Sequence, residues 1–272
     1  MPEVYTNRRT LLAGGAAGAV VSVLPANHAD AAKIATHFAA ADKRARALVA
    51  KLTLDEKLSL MRSSMFFGGG TPKNPMPADA LGTAGYAPGV ARLNIPAQQQ
   101  SDASLGVAPG PNPRPEREHV TAFPASIALA CGWDPDLAEE VGKAVGAEAR
   151  ARGINIMLAG GVNLARDPRC GRNFEYVGED PLLAGHIAGR AIKGIQSQHV
   201  VSTIKHFALN AQETGRNLVD ETIDEGALQE SDLLAFKIAI EIGAPGSVMC
   251  AYNKINGKYA SQNKRLLHDI LK

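Results

Sequence analysis

The chain has 272 residues, 45% of them hydrophobic and 21% charged, which fits a folded globular protein and excludes a disordered one. A formal net charge of +2 gives no electrostatic case for a nucleic-acid partner. Cys131, Cys170 and Cys250 lie far apart with no CxxC pair, so neither a disulfide framework nor a zinc pattern is present, and buried apolar positions are expected for them.

The first thirty residues differ from the rest. Arg8 and Arg9 precede "TLLAGGAAGAVVSVLPA", a weakly hydrophobic run too short to span a bilayer comfortably. Small residues follow at Ala29-Asp30-Ala31, of the kind a signal peptidase accepts. Residues 1–31 resemble a twin-arginine export signal, although a flanking serine and a downstream lysine are missing. A periplasmic or secreted mature chain is expected, with no stable membrane association once the signal is removed.

Residues 33–62 read as helical, with a capping box at Thr53-Leu54-Asp55-Glu56. Residues 68–118 hold most of the prolines and read as a long loop, a feature that in compact domains is often functional. Within it, Asp102 stands at a strand end, where it is either a ligand acceptor or a turn cap.

A regular pattern follows. Asp134 and Pro135 open a helix that stops at Gly153. Residues 154–164 read as a buried strand, residues 166–180 as a polar loop, and Asp180-Pro181 opens a second helix to about Gln198. "VVSTIKHFAL" is the next strand, a third helix runs from about Asp224 to Ile242, and "GSVMCAYNKING" is a further strand and loop with a tight turn at Asn256-Gly257. Strand, polar loop and helix at this spacing indicate βαβ units and a parallel sheet whose strands are buried on both faces. No GxGxxG or GxxxxGK[ST] loop is present, so a (β/α)8 barrel is preferred to a doubly wound sheet.

The chemistry-bearing residues follow the strands. In the loop from Arg166 to Asp180, mutual pairing is expected to lock Arg166, Asp167 and Arg169, whereas Arg172 has no evident local partner and is the better ligand candidate. Lys205 and His206 end an apolar strand and lead into "ALNAQETGR", which ends in Arg216. Tyr252 follows the last strand and is read either as a core residue or as a ring and hydroxyl offered to a ligand. Arginine, lysine, histidine, aspartate and tyrosine with no metal-ligand spacing suit a neutral polyhydroxylated ligand, a sugar.

"ARDPRCGRNFEYVGEDP", "KHFALNAQETGR", "MCAYNKING" and "DASLGV" resemble, in the right order, motifs of the N-terminal domain of glycoside hydrolase family 3, in its β-glucosidase-like branch. The resemblance covers residue 45 to the end. It implies a (β/α)8-type barrel, here incomplete at its C-terminal end, and an α/β sandwich domain after it. It implies a retaining exo-hydrolase that removes terminal non-reducing β-D-glucosyl residues, with no metal or organic cofactor. On this resemblance Asp102, Arg172, Lys205, His206 and Arg216 hold the non-reducing sugar, and Tyr252 sits beside the nucleophile. Family members that act on N-acetylglucosamine carry a different loop after the Lys-His pair. Cys170 stands where the family usually has Trp, and Ala108 where many members have Arg, which bears on sugar preference. The nucleophilic aspartate and the acid/base glutamate are expected after Lys272, so the 272 residues alone are expected to be inactive and to fold poorly. A β-xylosidase of the same family and a non-catalytic sugar-binding product are the alternatives.

Overall fold

The structure is a computed structural model that describes residues 28–66, 70–103, 105–108 and 119–272; side chains are described from residue 39 onward. The export signal expected at residues 1–31 falls mostly outside these. Two compact units are present. The first contains helix α1 (His28–Val49), which takes in Ala29–Ala31, and the segment from Gln262, where Asn263 Oδ1 accepts from the Leu266 amide at 3.2 Å ahead of a π-helical stretch at Arg265–Ile270. The second, residues 52–261, carries the motifs.

The second unit opens with α2 (Leu54–Leu60), which starts at the expected capping box: Thr53 Oγ1 accepts from the Glu56 amide and Glu56 accepts from the Thr53 amide. The stretch expected as a loop contains the hairpin β1 (Gly70–Thr71) with β2 (Asn74–Pro75), then β3 (Gly85–Ala87) and β4 (Gln98–Asp102). Of these the sequence indicates the strand that ends at Asp102, although its residues are polar. Gln99, for example, is buried because its side chain bonds to the backbone of Asp79 and Leu81.

After a short helix α3 (Ser126–Ala130) the expected alternation appears. It runs α4 (Pro135–Ala151), β5 (Ile156–Leu158), α5 (Pro181–Gln196), β6 (Val201–Phe207), β7 (Asp220–Glu221), α6 (Glu225–Glu230), α7 (Asp232–Gly243) and β8 (Ser247–Cys250). A hairpin of β9 (Lys254–Ile255) and β10 (Lys258–Tyr259) follows, turning at Asn256 and Gly257, both at positive φ. Aspartates cap the helices as the sequence indicates. Asp134 Oδ1 accepts from the amides of Asp136 and Leu137 at 3.0 Å, Asp180 from Leu183 at 2.8 Å, and Asp224 from Gly226 at 2.8 Å.

The fold is α/β. The main sheet has the order β3-β4-β5-β6-β8, with β4, β5, β6 and β8 parallel and adjacent in chain order, and β3 an unexpected antiparallel edge. Among the described residues this sheet is open. The third helix divides at Ser231, where Asp232 turns its carboxylate inward to pair with Arg166. Strand β5 is shorter than residues 154–164: Gly160 takes φ +98°, and from there pairing continues as an isolated bridge of Gly161 with Lys205, the Gly160 carbonyl accepting from the Lys205 amide at 3.0 Å. The cysteine expectation holds for Cys170, which is buried, and partly for Cys250; Cys131 is exposed at the end of α3 and departs from it.

Helix α5 packs between α4 and α7, and glycine sets both contacts. A Cβ on Gly146 would sit 2.7 Å from the Ile195 carbonyl oxygen, and one on Gly189 would sit 2.8 Å from Ile242 Cβ. Gly146→Ala therefore sets a helix-propensity gain of about 1 kcal/mol against overpacking of about 1–3 kcal/mol. The expected outcome is net destabilisation, read as a lower denaturant midpoint. A variant more stable than the parent would show that α4 and α5 do not approach this closely.

Candidate functional site

Parallel strands point their C-terminal ends the same way, so the loops after β4, β5, β6 and β8 emerge on one face of the sheet. Asp102 ends β4 and is exposed there. Arg172 belongs to the loop after β5, Lys205 and His206 to the last turn of β6, Arg216 to the loop after β6, and Tyr252 to the loop after β8.

The loop after β5 reaches the sheet at Gly161, where a Cβ would meet the Glu175 carbonyl oxygen at 2.8 Å. That close approach places Glu175 under the end of β6. Its carboxylate is buried between two cations: Arg172 Nε pairs with Oε1, and Lys205 Nζ with Oε2 at 3.1 Å. Burial alone raises a carboxyl pKa, but the charge of Lys205 and the Arg172 contacts outweigh it, and Glu175 is held down at about 2. Arg172 thus does have a local partner, three residues on, contrary to expectation. Its charge is shared further, since Nη1 lies 3.7 Å from Glu213 Oε1, while Nη2 lies 3.0 Å from His206 Nε2. Arg166 departs from expectation the other way, since its partners are Ser231 and Asp232 rather than its own loop. Asp167 and Arg169 pair locally and bidentately as expected.

Lys205 and His206 are both buried, each 3% exposed, although neighbours in a regular strand face opposite ways. The β6–β8 register shifts between Ile204 and Phe207, and the Lys205–His206 and Phe207–Ala208 peptides are cis. Asn163 replaces the missing ladder partner: its Oδ1 accepts from the His206 amide at 2.8 Å and its Nδ2 donates to the His206 carbonyl at 2.9 Å. Burial and the charges of Arg172 and Lys205 push His206 down to about 3, so the ring is neutral at pH 7.

In the loop after β6, Glu213 accepts from Arg216 at 2.8 Å and from Asn210 at 2.9 Å. Arg216 lies over the Tyr252 ring, 5.0 Å from its centroid. Tyr252 is 52% exposed, which excludes the core reading. A small sheet of β7, β9 and β10 ties this loop to the one after β8, with Asp220 and Glu221 registered against Lys254 and Ile255. Arg172, Lys205, His206, Arg216 and Tyr252 are thereby joined in one network. Asp102 shares the face but no bond links it to them. Sequence reasoning passed over Glu175, Asn163, Tyr176 and Asn210, which build the floor. The signal for Glu175 was its place three residues after Arg172 in an otherwise polar loop. Among the described residues no cluster of His, Cys, Asp and Glu could hold a metal ion.

The depressed His206 pKa fixes a pH dependence. Unfolding restores the ring to about 6.5, so between pH 6.5 and 3 the unfolded chain binds a proton that the native one refuses, and stability falls as pH falls through that window. From pH 6.5 to 5 the native protein is expected to lose up to about 1.4 kcal/mol per pH unit beyond the loss shown by His206→Gln. Parallel stability curves for the two proteins would refute a buried neutral ring.

The profile of the glycosyl hydrolase family 3 N terminal domain matches residues 90–272. The chain is 43% identical over 194 residues to thermostable beta-glucosidase B of Acetivibrio thermocellus, covering 67% of this chain and 25% of that one. It is 36% identical over 230 residues to an exo-alpha-(1->6)-L-arabinopyranosidase of Bifidobacterium longum, covering 82% and 28%. Beta-glucosidase 3B of Thermotoga neapolitana, solved in complex with glucose, superposes with a TM-score of 0.76 at 44% identity, over 84% of this chain and 32% of that one. The chain spans about a quarter of the length of the curated relatives it matches. On the strength of the matched residues the chain belongs to glycosyl hydrolase family 3, within its N-terminal domain.

Proposed function

We propose that the polar face after β4, β5, β6 and β8 is the glycone subsite of a retaining β-glucosidase acting on terminal non-reducing β-D-glucosyl residues. The observation that carries this reading is the network itself. A neutral imidazole, two arginines and a lysine fixed by Glu175 and Glu213 form a rigid set of donors and acceptors, and a ring stands over one arginine at the edge. Such a set matches a polyhydroxylated neutral ring better than an anion, because Glu175 and Glu213 offset two of the three positive charges and Asp102 adds a third carboxylate to the same face. Beta-glucosidase relatives, one of them solved with glucose, support the sugar.

Retention requires two carboxyl groups about 5–5.5 Å apart, one a nucleophile and one an acid/base. Glu175 and Glu213 are committed to arginine and lysine partners. The reading therefore gives these residues the task of holding sugar and takes the two catalytic carboxyls from elsewhere in a whole protein of the relatives' length. The parallel strands, adjacent in chain order with no topological switch point, are read as a sector of a (β/α)8 barrel. The sequence of residues 1–31 supports export to the periplasm or beyond; Arg8→Lys with Arg9→Lys is expected to leave the protein in the cytoplasm, and undiminished export would overturn that reading.

Asp102→Ala tests the subsite because the side chain is exposed and its removal spares the fold. Loss of a charge-assisted hydrogen bond worth about 1.5–3 kcal/mol should weaken D-glucose binding about tenfold or more, measured by calorimetry with D-xylose as the competitor. Equal glucose affinity for parent and variant would sink the proposal, and tighter xylose binding would move it to a xylosidase.

A further inference from the structure

We infer that Asn163 and Tyr176 are positioning residues that lock His206 in the Nδ1–H tautomer, so that its Nε2 lone pair faces Arg172 and helps to hold that guanidinium at the proposed subsite. This deepens the glycone-subsite reading and rests on it. The inference follows from which groups can donate, starting at two that have no choice.

The first is Glu213, whose ionised carboxylate only accepts. Asn210 Nδ2 lies 2.9 Å from Glu213 Oε1, so this end of the Asn210 amide is the NH2 group. The same nitrogen lies 2.7 Å from the Tyr176 hydroxyl, which must therefore accept from it. The hydroxyl has one proton, and the Asn210 carbonyl at 3.2 Å takes it. Towards His206 Nδ1, 3.4 Å away, Tyr176 can then only accept.

The second is the backbone of His206. Its amide donates to Asn163 Oδ1 at 2.8 Å and its carbonyl accepts from Asn163 Nδ2 at 2.9 Å, which fixes the orientation of that amide too. Asn163 Oδ1 also lies 3.3 Å from His206 Nδ1. Nδ1 thus faces two acceptors and no donor, and carries the proton. On the other side of the ring Nε2 lies 3.0 Å from Arg172 Nη2, and a guanidinium has no lone pair to offer. Both ends of the ring require the same tautomer.

All the participants except Arg172 and Glu213 are almost wholly buried, so water does not compete for these bonds. The ring is surrounded by Arg172, Lys205, Glu175 and Arg216, whose balance opposes its protonation. The single Nε2 lone pair is used by Arg172, so the locked tautomer fixes this guanidinium from one side while Glu175 fixes it from the other, and its remaining N–H groups are what a ligand meets.

The test is a two-bond proton–nitrogen correlation spectrum of the full chain labelled with 15N-histidine, without sugar, between pH 5 and 8. The His206 signals are assigned by their loss in His206→Gln. The expected result is one Nδ1–H tautomer that does not titrate. An Nε2–H tautomer, or a ring that titrates in that range, would overturn the inference. Asn163→Ala is expected to yield a mixture of tautomers and to weaken glucose binding about tenfold, as for loss of one buried partner. Asn163→Asp, which keeps the acceptor, should restore the single tautomer. If Asn163→Ala does not fold, Tyr176→Phe is read instead, with a smaller shift towards the mixture. Loss of stability in these variants with the tautomer unchanged would mark a purely structural role and overturn the inference. The tautomer is read without ligand, so failure of glucose binding would refute the subsite and not this assignment.

Discussion

The buried carboxylate of Glu175 is the interaction on which the rest of the site depends. It is 3% exposed, and so is Lys205. Removing two charges from water costs several kcal/mol per ion, and only good geometry offsets it. Here one carboxylate oxygen serves Lys205 and the other Arg172, so each cation is held by a different lone-pair direction. Loss of the acid would strand the buried Lys205, whereas Arg172 would keep Glu213 at 3.7 Å. One carboxylate holds both cations together, and the neutral imidazole beside them follows, since two fixed positive charges disfavour a third.

That arrangement is possible because of backbone approach rather than side-chain choice. Gly161 admits the loop of Glu175 to the sheet and bridges to Lys205, and Asn163 takes over the bonding to the His206 backbone. The helix α5 packs closely against α4 and α7 through glycines, so the loops are carried by a frame with little room to shift. A frame of this kind preorganises polar groups before any ligand arrives, which the proposed affinity for an uncharged, heavily hydrated sugar requires.

Much of this was legible in the sequence because periodicity and caps are local. Asp134, Asp180 and Asp224 each announce a helix by a side chain that reaches two or three residues ahead. The apolar run before Lys205 announces a buried strand. What was not legible is long-range. Arg172 was matched as a ligand candidate on the supposition that it lacked a local partner, and its pairing with Glu175 depends on the turn at Asn173–Glu175. Arg166 finds Asp232, far along the chain, and that pairing also divides a helix that periodicity reads as continuous. Tyr252 reads as core from composition alone, yet is exposed because β9 and β10 pull its loop towards Arg216. Strand β4 was legible only at its end, Asp102, because Gln98, Gln99 and Gln100 do not read as a buried strand; Gln99 is buried through side-chain bonds to the backbone of Asp79 and Leu81.

The site grades from a fixed floor to an adaptable rim, and the gradient has a chemical meaning. His206 and Lys205 at the bottom are buried and held by protein partners, while the Arg172, Glu213 and Arg216 side chains are 20%, 25% and 35% exposed and Tyr252 more so. A buried polar group left unpaired costs its full desolvation, whereas an exposed one falls back on water. On the proposed glycone-subsite reading, a change at Asn163, Glu175 or His206 would disturb the buried ion pair and the shape of the site with it, while a change at Tyr252 could proceed with the floor intact.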